Sequence, residues 1–524
     1  MFFSLLGGFI LWCYGLVGWF GSVSLICYAW LDYPLYFLLD DVSLICSYML
    51  LCCGLMAIFY CFHYFSSSQD GYTLSFLMVW FLGTMLMLVF SSCVVVSLIL
   101  WEYLGLVSFF LMLFYSNGVS LRASLITLFA SRFGDVGLFM LTLWVSKEWF
   151  LVVGWQYSLF LLLIVLTKSA CYPFISWLLE AMRAPTPVSS LVHSSTLVAA
   201  GVWFLLRYDS FFGGESYSLL VFFSLLTTFI TGVCACFFMD LKKMVALSTC
   251  NKISWCLLFY ICGDLSLCLL QLLTHGVCKC YLFMFVGDLM SVSSGSQSSV
   301  GVYLSRYLGV YGIVGQGVLM MSLCGLPFLG VFFSKHVFFS GLFCIYGGSF
   351  MIFLLTCFFM SYVYSIRFVL LLFRLSGGLS SGYSSSFMLM AGVSFLGTLL
   401  NYSGSYMLAE LTSVSVGWSG LMSVLQLLGC SLGYLFFLFN LEGGFWKASL
   451  WGGDCLVSSV YSSFLKFSEN YLLSLYRWEL YPLSLYSLPP TLKDFRYSFF
   501  SMNFLICSFL LSLFLYLLLS AKLP

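Results

Sequence analysis

Apolar runs about 20 residues long, the length of a membrane span, recur along the chain with little between them. They fall near 4–29, 43–64, 73–91, 92–115, 120–145, 156–179, 187–207 and 217–239, and then near 244–262, 265–290, 309–334, 340–372, 386–402, 411–439 and 501–521. This pattern predicts an all-α polytopic bundle of about 15 helices, among them a first helix at 4–29 that is kept rather than cleaved, because MFFSLLGGFILW carries no basic leader and no small-residue cleavage site. Polar interruptions are few: SVSSGSQSS at 291–299 and GGLSSGYSSS at 377–386 read as loops. From Glu442 to Arg496 the character changes. Ten charged residues are interleaved with aromatics there, which predicts a segment along the membrane surface, ended by Leu488-Pro-Pro-Thr before the last apolar run.

Composition sharpens that picture. The 524 residues are 62% hydrophobic and 7% charged, and the mean hydropathy is +1.07, too apolar for a water-covered surface. The 20 basic and 19 acidic residues nearly cancel, with no basic cluster of the kind that grips nucleic acid. The 22 cysteines lie scattered in apolar runs, as in Cys52-Cys53 and Cys278-Lys-Cys280, without the C-x-x-C spacing of zinc or iron–sulfur sites. They read as small buried hydrophobes. The surplus of Phe, Leu, Val, Cys, Trp and Gly suits codons rich in T and G, as in a strand-biased organelle gene.

Charges inside such runs carry the functional signal, since one at the membrane centre costs about 2.5–3.5 kcal/mol on insertion scales. Lys168 lies mid-run, and Pro173 follows within about a turn, where it cannot donate to the Ser169 carbonyl. Beyond the Pro185-Thr-Pro187 turn comes His193, inside the next run. Glu102 sits in LILWEYLGLVSFF and Asp135 in SRFGDVGLFM. His275 and Lys279, four apart, share one helix face. Pro327 breaks a second helix, which also carries Lys335 and His336, and Asp240 stands where it could cap the helix bearing Lys242 and Lys243.

Two lysine-bearing broken helices, far apart in sequence, fit the layout of transporters built from inverted repeats. Burial disfavours a charged form and an opposite charge favours it, so carboxylates, lysines and histidines set across helices can pass protons along. Blander readings stand beside this one. Glu102 with Lys168, or Asp135 with Arg132, could be structural ion pairs, and His193 a packing residue. Lys242 and Lys243 read as interfacial anchors, and Lys335 and His336 could snorkel to water.

With those residues in view, KSACYPFISWLLEAMRAPTPVSSLVHSSTLVAAGVWFLLR at 168–207 resembles, without a gap, the chain-5 type of antiporter-like subunit of mitochondrial NADH:ubiquinone oxidoreductase (respiratory complex I) and its bacterial and antiporter relatives. LLDDVSLIC, WEYLGLVSF, RFGDVGLF, MDLKKMVALST, LTHGVCK, GLPFLGVFFSK and YSIR match in the family's order, from Leu38 to about Arg374. The resemblance implies N-terminal helices at 1–91, half-channels at 92–207 and 208–376, further spanning helices at 377–440, a lateral helix at 441–498 and a terminal anchor at 499–524. It implies a proton relay: Glu102 paired with Lys168, Asp135 tuning them, His193 continuing the path, His275 and Lys279 at the centre, and Lys335 facing the exit.

It also implies that the chain binds no NADH, quinone, metal or other cofactor, the flavin and iron–sulfur clusters lying in partner subunits of the reductase. The expected partners are other membrane-arm subunits, including antiporter-like neighbours braced by the lateral helix, and phospholipids such as cardiolipin. The expected location is the mitochondrial inner membrane, with the gene in the organelle genome. The alternative is a subunit of a stand-alone sodium/proton antiporter, which shares the core motifs but usually lacks the lateral helix. The chain departs from the family at Gln271, where a relay histidine is usual, at His336 in place of an acidic residue, and at Glu180 in place of aspartate.

Overall fold

A computed structural model of the chain describes residues 23–30, 33–65, 68–146, 155–292, 309–327, 329–342, 348–373, 401–402, 416–439, 462–463 and 465–470, with 295, 297 and 298. The parts of 4–29 and 386–402 before Val23 and Asn401, and nearly all of the lateral segment and the terminal anchor, lie outside the described residues. The chain forms two compact units, residues 1–454 and 455–524. In the second, the described residues are helical at 465–470.

The first unit is a helix bundle, and its described residues hold ten helical spans long and apolar enough to cross a membrane, one of them the run Thr186–Arg207 that two α-helices and the π-helical stretch between them make up together. The helices, in order, are α1 (Asp41–Tyr64), α2 (Gln69–Phe90), α3 (Val94–Leu113), α4 (Gly118–Ser146), α5 (Trp155–Lys168), α6 (Ser176–Ala181), α7 (Thr186–Leu191), α8 (Leu197–Arg207), α9 (Gly214–Ala235), α10 (Leu241–Cys262), α11 (Leu265–Val292), α12 (Gly309–Cys324), α13 (Phe332–Leu342), α14 (Gly348–Phe373) and α15 (Val416–Leu438). Consecutive long helices pack side by side, and α11 closes back on α1 and α7. The outer helices turn large apolar side chains outward, among them Phe76, Phe129, Ile352 and Leu427, a surface only lipid or another protein solvates well. The α7–α8 segment, by contrast, is wholly enclosed: its apolar window is 100% buried.

One element differs from the pattern reading. The described end of the expected first helix, Val23–Trp30 (β1), is a strand, paired antiparallel with β2 (Tyr33–Leu39) in a register that runs from Val23 opposite Leu39 to Trp30 opposite Tyr33. Continuous apolar runs do not distinguish helix from buried strand, and Val, Ile, Tyr and Trp favour the latter. Pro34 also has no N–H to continue a helix.

The helix breaks are built locally. The first begins at Ser169, right after Lys168 and ahead of Pro173: Ala170 takes a positive φ of 53°, and Trp177 Nε1 donates to the Thr167 carbonyl at 2.9 Å, satisfying one of the acceptors that a helix end leaves open. Gly201 of α8 lets the break approach, since a Cβ there would stand 2.9 Å from Ser169 N. The second break spans 325–331, with Gly325 and Gly330 both at positive φ. A Cβ on Gly330 would come within 2.5 Å of the Ser322 carbonyl oxygen.

Polar side chains tie the ends of these helices. Arg207 joins Asp40 at 2.6 Å and the Val89 carbonyl at 3.1 Å, fastening α8 to the start of α1 and the end of α2. Arg367 reaches the Phe238 and Ala235 carbonyls, at 2.9 and 3.2 Å, just beyond and within the last turn of α9.

The second break sets up a measurable contrast. Gly330→Val combines a left-handed backbone with a backbone clash and is expected to destabilise the chain by about 1–3 kcal/mol. Gly341→Ala, with nothing within 4 Å of the new Cβ, should leave stability unchanged. Fluorescence-detected thermal unfolding of the two solubilised variants checks this: the first Tm falls and the second holds.

Candidate functional site: a buried basic row

On α3 and α4 the acidic side chains share one arginine. Arg132 forms an ion pair with Glu102 and a second, at 3.3 Å, with Asp135 on its own helix. Glu102 thus meets Arg132, while Lys168 stands apart as a buried ammonium. Its Nζ reaches no hydrogen-bond partner, lies 5.0 Å from the Trp101 ring centroid and interacts at longer range with Asp135. Gly105 leaves the space: its Cβ would meet Lys168 Nζ at 4.0 Å. Lys168 closes the last turn of α5, where the helix dipole and free carbonyls favour a cation.

His193 lies on the far side of the break. It sits in a five-residue π-helical stretch, Val192–Thr196, is completely buried, and neither ring nitrogen has a hydrogen-bond partner. Its ring centroid is 6.3 Å from that of Trp177, the residue that caps Thr167. Insertions of this kind in a helix are frequent at functional sites. Lys242 acts on His193 electrostatically.

Lys242 overturns its reading as an interfacial anchor. Only 4% exposed, it donates to the Ala184 carbonyl at 3.1 Å. Lys243 takes the surface role, paired with Asp240 at 3.1 Å. Asp240 is the N-cap residue of α10 by backbone position, but makes no side-chain cap bond. Adjacent residues on a helix point about 100° apart, so one faces the core and the other does not.

His275 and Lys279 both point inward from α11, as their spacing requires, and both are completely buried. Lys279 Nζ bonds the Ser248 hydroxyl and, at 3.4 Å, the Val245 carbonyl. His275 has no hydrogen-bond partner on either ring nitrogen. Gln271, one turn earlier, accepts from Ser334 at 3.4 Å. Lys335 lies in the first turn of α13, buried rather than snorkelling. It reaches back across the break to the Cys324 carbonyl at 2.8 Å and stands over the rings of Phe358, Tyr362 and Trp255 at 4.9, 5.6 and 5.7 Å. His336 stacks beside Phe332, centroids 4.1 Å apart.

Two buried charges escaped the sequence reading. Lys252, 1% exposed, sits in the middle of α10, and a lysine inside the 244–262 apolar run was the signal for it. Asp288, 3% exposed, pairs with His63 of α1 at 3.6 Å and lies within the 265–290 run. No cluster of three His, Cys, Asp or Glu that could hold a metal occurs among the described residues.

The comparisons with known proteins bear on this arrangement directly. The family described as "NADH:quinone oxidoreductase/Mrp antiporter, TM" matches residues 91–361, a span holding every candidate relay residue from Glu102 to Lys335. The chain belongs to that family. It is 32% identical to an NADH-ubiquinone oxidoreductase chain 5 of Locusta migratoria over 67% of this chain and 63% of that one, so the match takes in less than two thirds of the locust protein. With the Anopheles arabiensis protein of the same name it shares 34% identity over 57% of this chain and 82% of that one. Its fold is similar to a chain in the structure of the Mrp complex from Dietzia sp. DQ12-45-1b, with TM-score 0.67, 21% identity, and coverage of 93% of this chain and 60% of that chain. The antiporter-like all-α fold expected from the motifs is therefore that of the family.

The tryptophan cap can be tested by itself. Trp177→Phe removes the donor to Thr167 and leaves a buried carbonyl unmet, a cost of about 1–3 kcal/mol. Trp80→Phe, on the exposed surface of α2, is the control. Thermal unfolding should show a lower Tm for the first variant alone.

Proposed function

We propose that this chain is a proton-translocating membrane-arm subunit of an NADH:ubiquinone oxidoreductase, coupling electron transfer in partner subunits to proton movement along its own buried side chains. The observation that carries the reading is the interior row itself. Lys168, His193, Lys242, His275, Lys279 and Lys335 are all buried, and among the described residues none of them forms a contact ion pair with a carboxylate. Lone buried cations are costly and serve stability poorly, whereas amines and imidazoles within range of one another can pass protons on.

In this reading the Glu102–Arg132–Asp135 cluster feeds Lys168. His193 and Lys242 carry the proton past the first break, His275 and Lys279 hold it at the centre, and Lys335 releases it at the second break. The half-channels are 92–207 and 208–376, and the lateral segment 441–498 reaches neighbouring antiporter-like subunits. Flavin and iron–sulfur clusters belong to partners; the lipid contacts include cardiolipin. The location is the mitochondrial inner membrane, with the gene in the organelle genome. The chain-5 names of the insect relatives support this reading over a stand-alone sodium/proton antiporter.

Native electrophoresis of mildly solubilised membranes, stained for NADH–dye reductase activity, separates the two readings. The chain is expected in the NADH-oxidising band at very high mass; recovery only in a small assembly without redox activity favours the antiporter. Within the assembled complex, Lys168→Ala or Glu102→Ala should cut proton pumping to less than about a tenth, since one positioned proton-transfer group is worth roughly a hundredfold or more. Vesicle acidification measures it, and full pumping in an assembled Lys168→Ala complex removes Lys168 from the path.

A further inference from the structure

Lys252 is a fully buried lysine that the relay above does not use. Its Nζ reaches no hydrogen-bond acceptor, and among the described residues no carboxylate pairs with it. Its place on α10 is informative. Ser248, one turn before it, holds Lys279; Trp255, one turn after it, lies under Lys335. Residues spaced by four and three lie on one helix face, so Lys252 stands midway on the face that touches the central lysine at one end and the lysine of the second break at the other. Ser248 and Trp255 are about 10 Å apart along the helix axis, with Lys252 between them. Lys252 acts electrostatically on Lys279, His275 and Lys335. The other titratable groups acting on it are the Cys324 and Cys256 thiols.

Gln271 sharpens the point. It neighbours this junction through Ser334, but an amide cannot take up and release a proton near neutral pH. The gap between Lys279 and Lys335 therefore has no titratable side chain on the α11 side at that position, and has a lysine on the α10 side.

We propose that Lys252 is the transfer station between Lys279 and Lys335, so that the second half-channel runs through three lysines and bypasses Gln271. The inference rests on the proton-translocating reading above. A proton on Lys279 Nζ passes to the lone pair of neutral Lys252, breaking one N–H bond and forming another. Lys252 then passes it to neutral Lys335, which has released its own proton toward the exit. Like charges repel in a poorly solvated interior, and Lys252 acts electrostatically on Lys335, so a proton arriving at Lys252 promotes release from Lys335.

The test uses the assembled complex in sealed inner-membrane vesicles, with proton flux driven by NADH or by an imposed sodium gradient, whichever the wild type supports. Lys252→Arg keeps the charge but holds its proton permanently; it is expected to assemble, and its proton flux to fall to well under half of wild type. Lys252→Gln should lose flux in the same way, and Gln271→His added to it should restore much of the loss by returning a titratable group to the junction, which a merely structural lysine would not allow. Lys243→Gln, on the surface, should leave flux unchanged. Wild-type flux in assembled Lys252→Arg overturns the proposal, as does loss in Lys252→Gln that Gln271→His does not relieve. If Lys168→Ala abolishes flux while Lys252→Arg retains it, the relay reading stands and Lys252 is excluded. A wild type that moves protons under neither drive overturns both.

Discussion

Cations buried among helices without a carboxylate beside them are what this bundle has to accommodate. The compensation comes from backbone and aromatic rings. Lys335 takes the carbonyl of Cys324 at the end of one half-helix, with three aromatic faces around it. Lys242 takes the carbonyl of Ala184 in the turn between α6 and α7, and Lys168 has the Trp101 face. Dipoles and ring quadrupoles stabilise a positive charge without neutralising it. Each lysine is thus held in place yet free of a partner that would trap its proton.

That choice explains why the helices are broken where they are. A continuous helix has no spare carbonyls in its middle; a break supplies them at membrane depth, and broken backbone survives there only where protein encloses it. The enclosure of α7–α8, the close approach at Gly201 and the Trp177 bond to Thr167 provide it at the first break. At the second, Gly325 and Gly330 allow the turn and Lys335 fills it.

Acidic groups are distributed unevenly along this interior. Glu102 and Asp135 gather around Arg132 on one side, while the buried charges from His193 to Lys335 are basic apart from Asp288, which His63 pairs. Neighbouring charges of one sign make the occupancy of each position felt at the next, a coupling that a row of neutral ion pairs lacks.

Much of this was legible in the sequence. Run length and the near absence of charge determined a polytopic all-α membrane protein, because only helices satisfy their own backbone across lipid. Lys168, Lys279 and Lys335 were visible as charges in apolar surroundings, and Pro173 and Pro327 marked both breaks. What the tertiary structure decided is who faces whom. It gave Glu102 to Arg132 rather than to Lys168, and sent Lys242 inward while Lys243 stayed at the surface. It set Lys252 between two other lysines and turned Val23–Trp30 into a strand. Each of these depends on the rotation of one helix against another, or on an apolar run that suits strand and helix alike. Hydrophobicity along a chain records depth in the membrane but not direction, and direction is settled only when the helices pack.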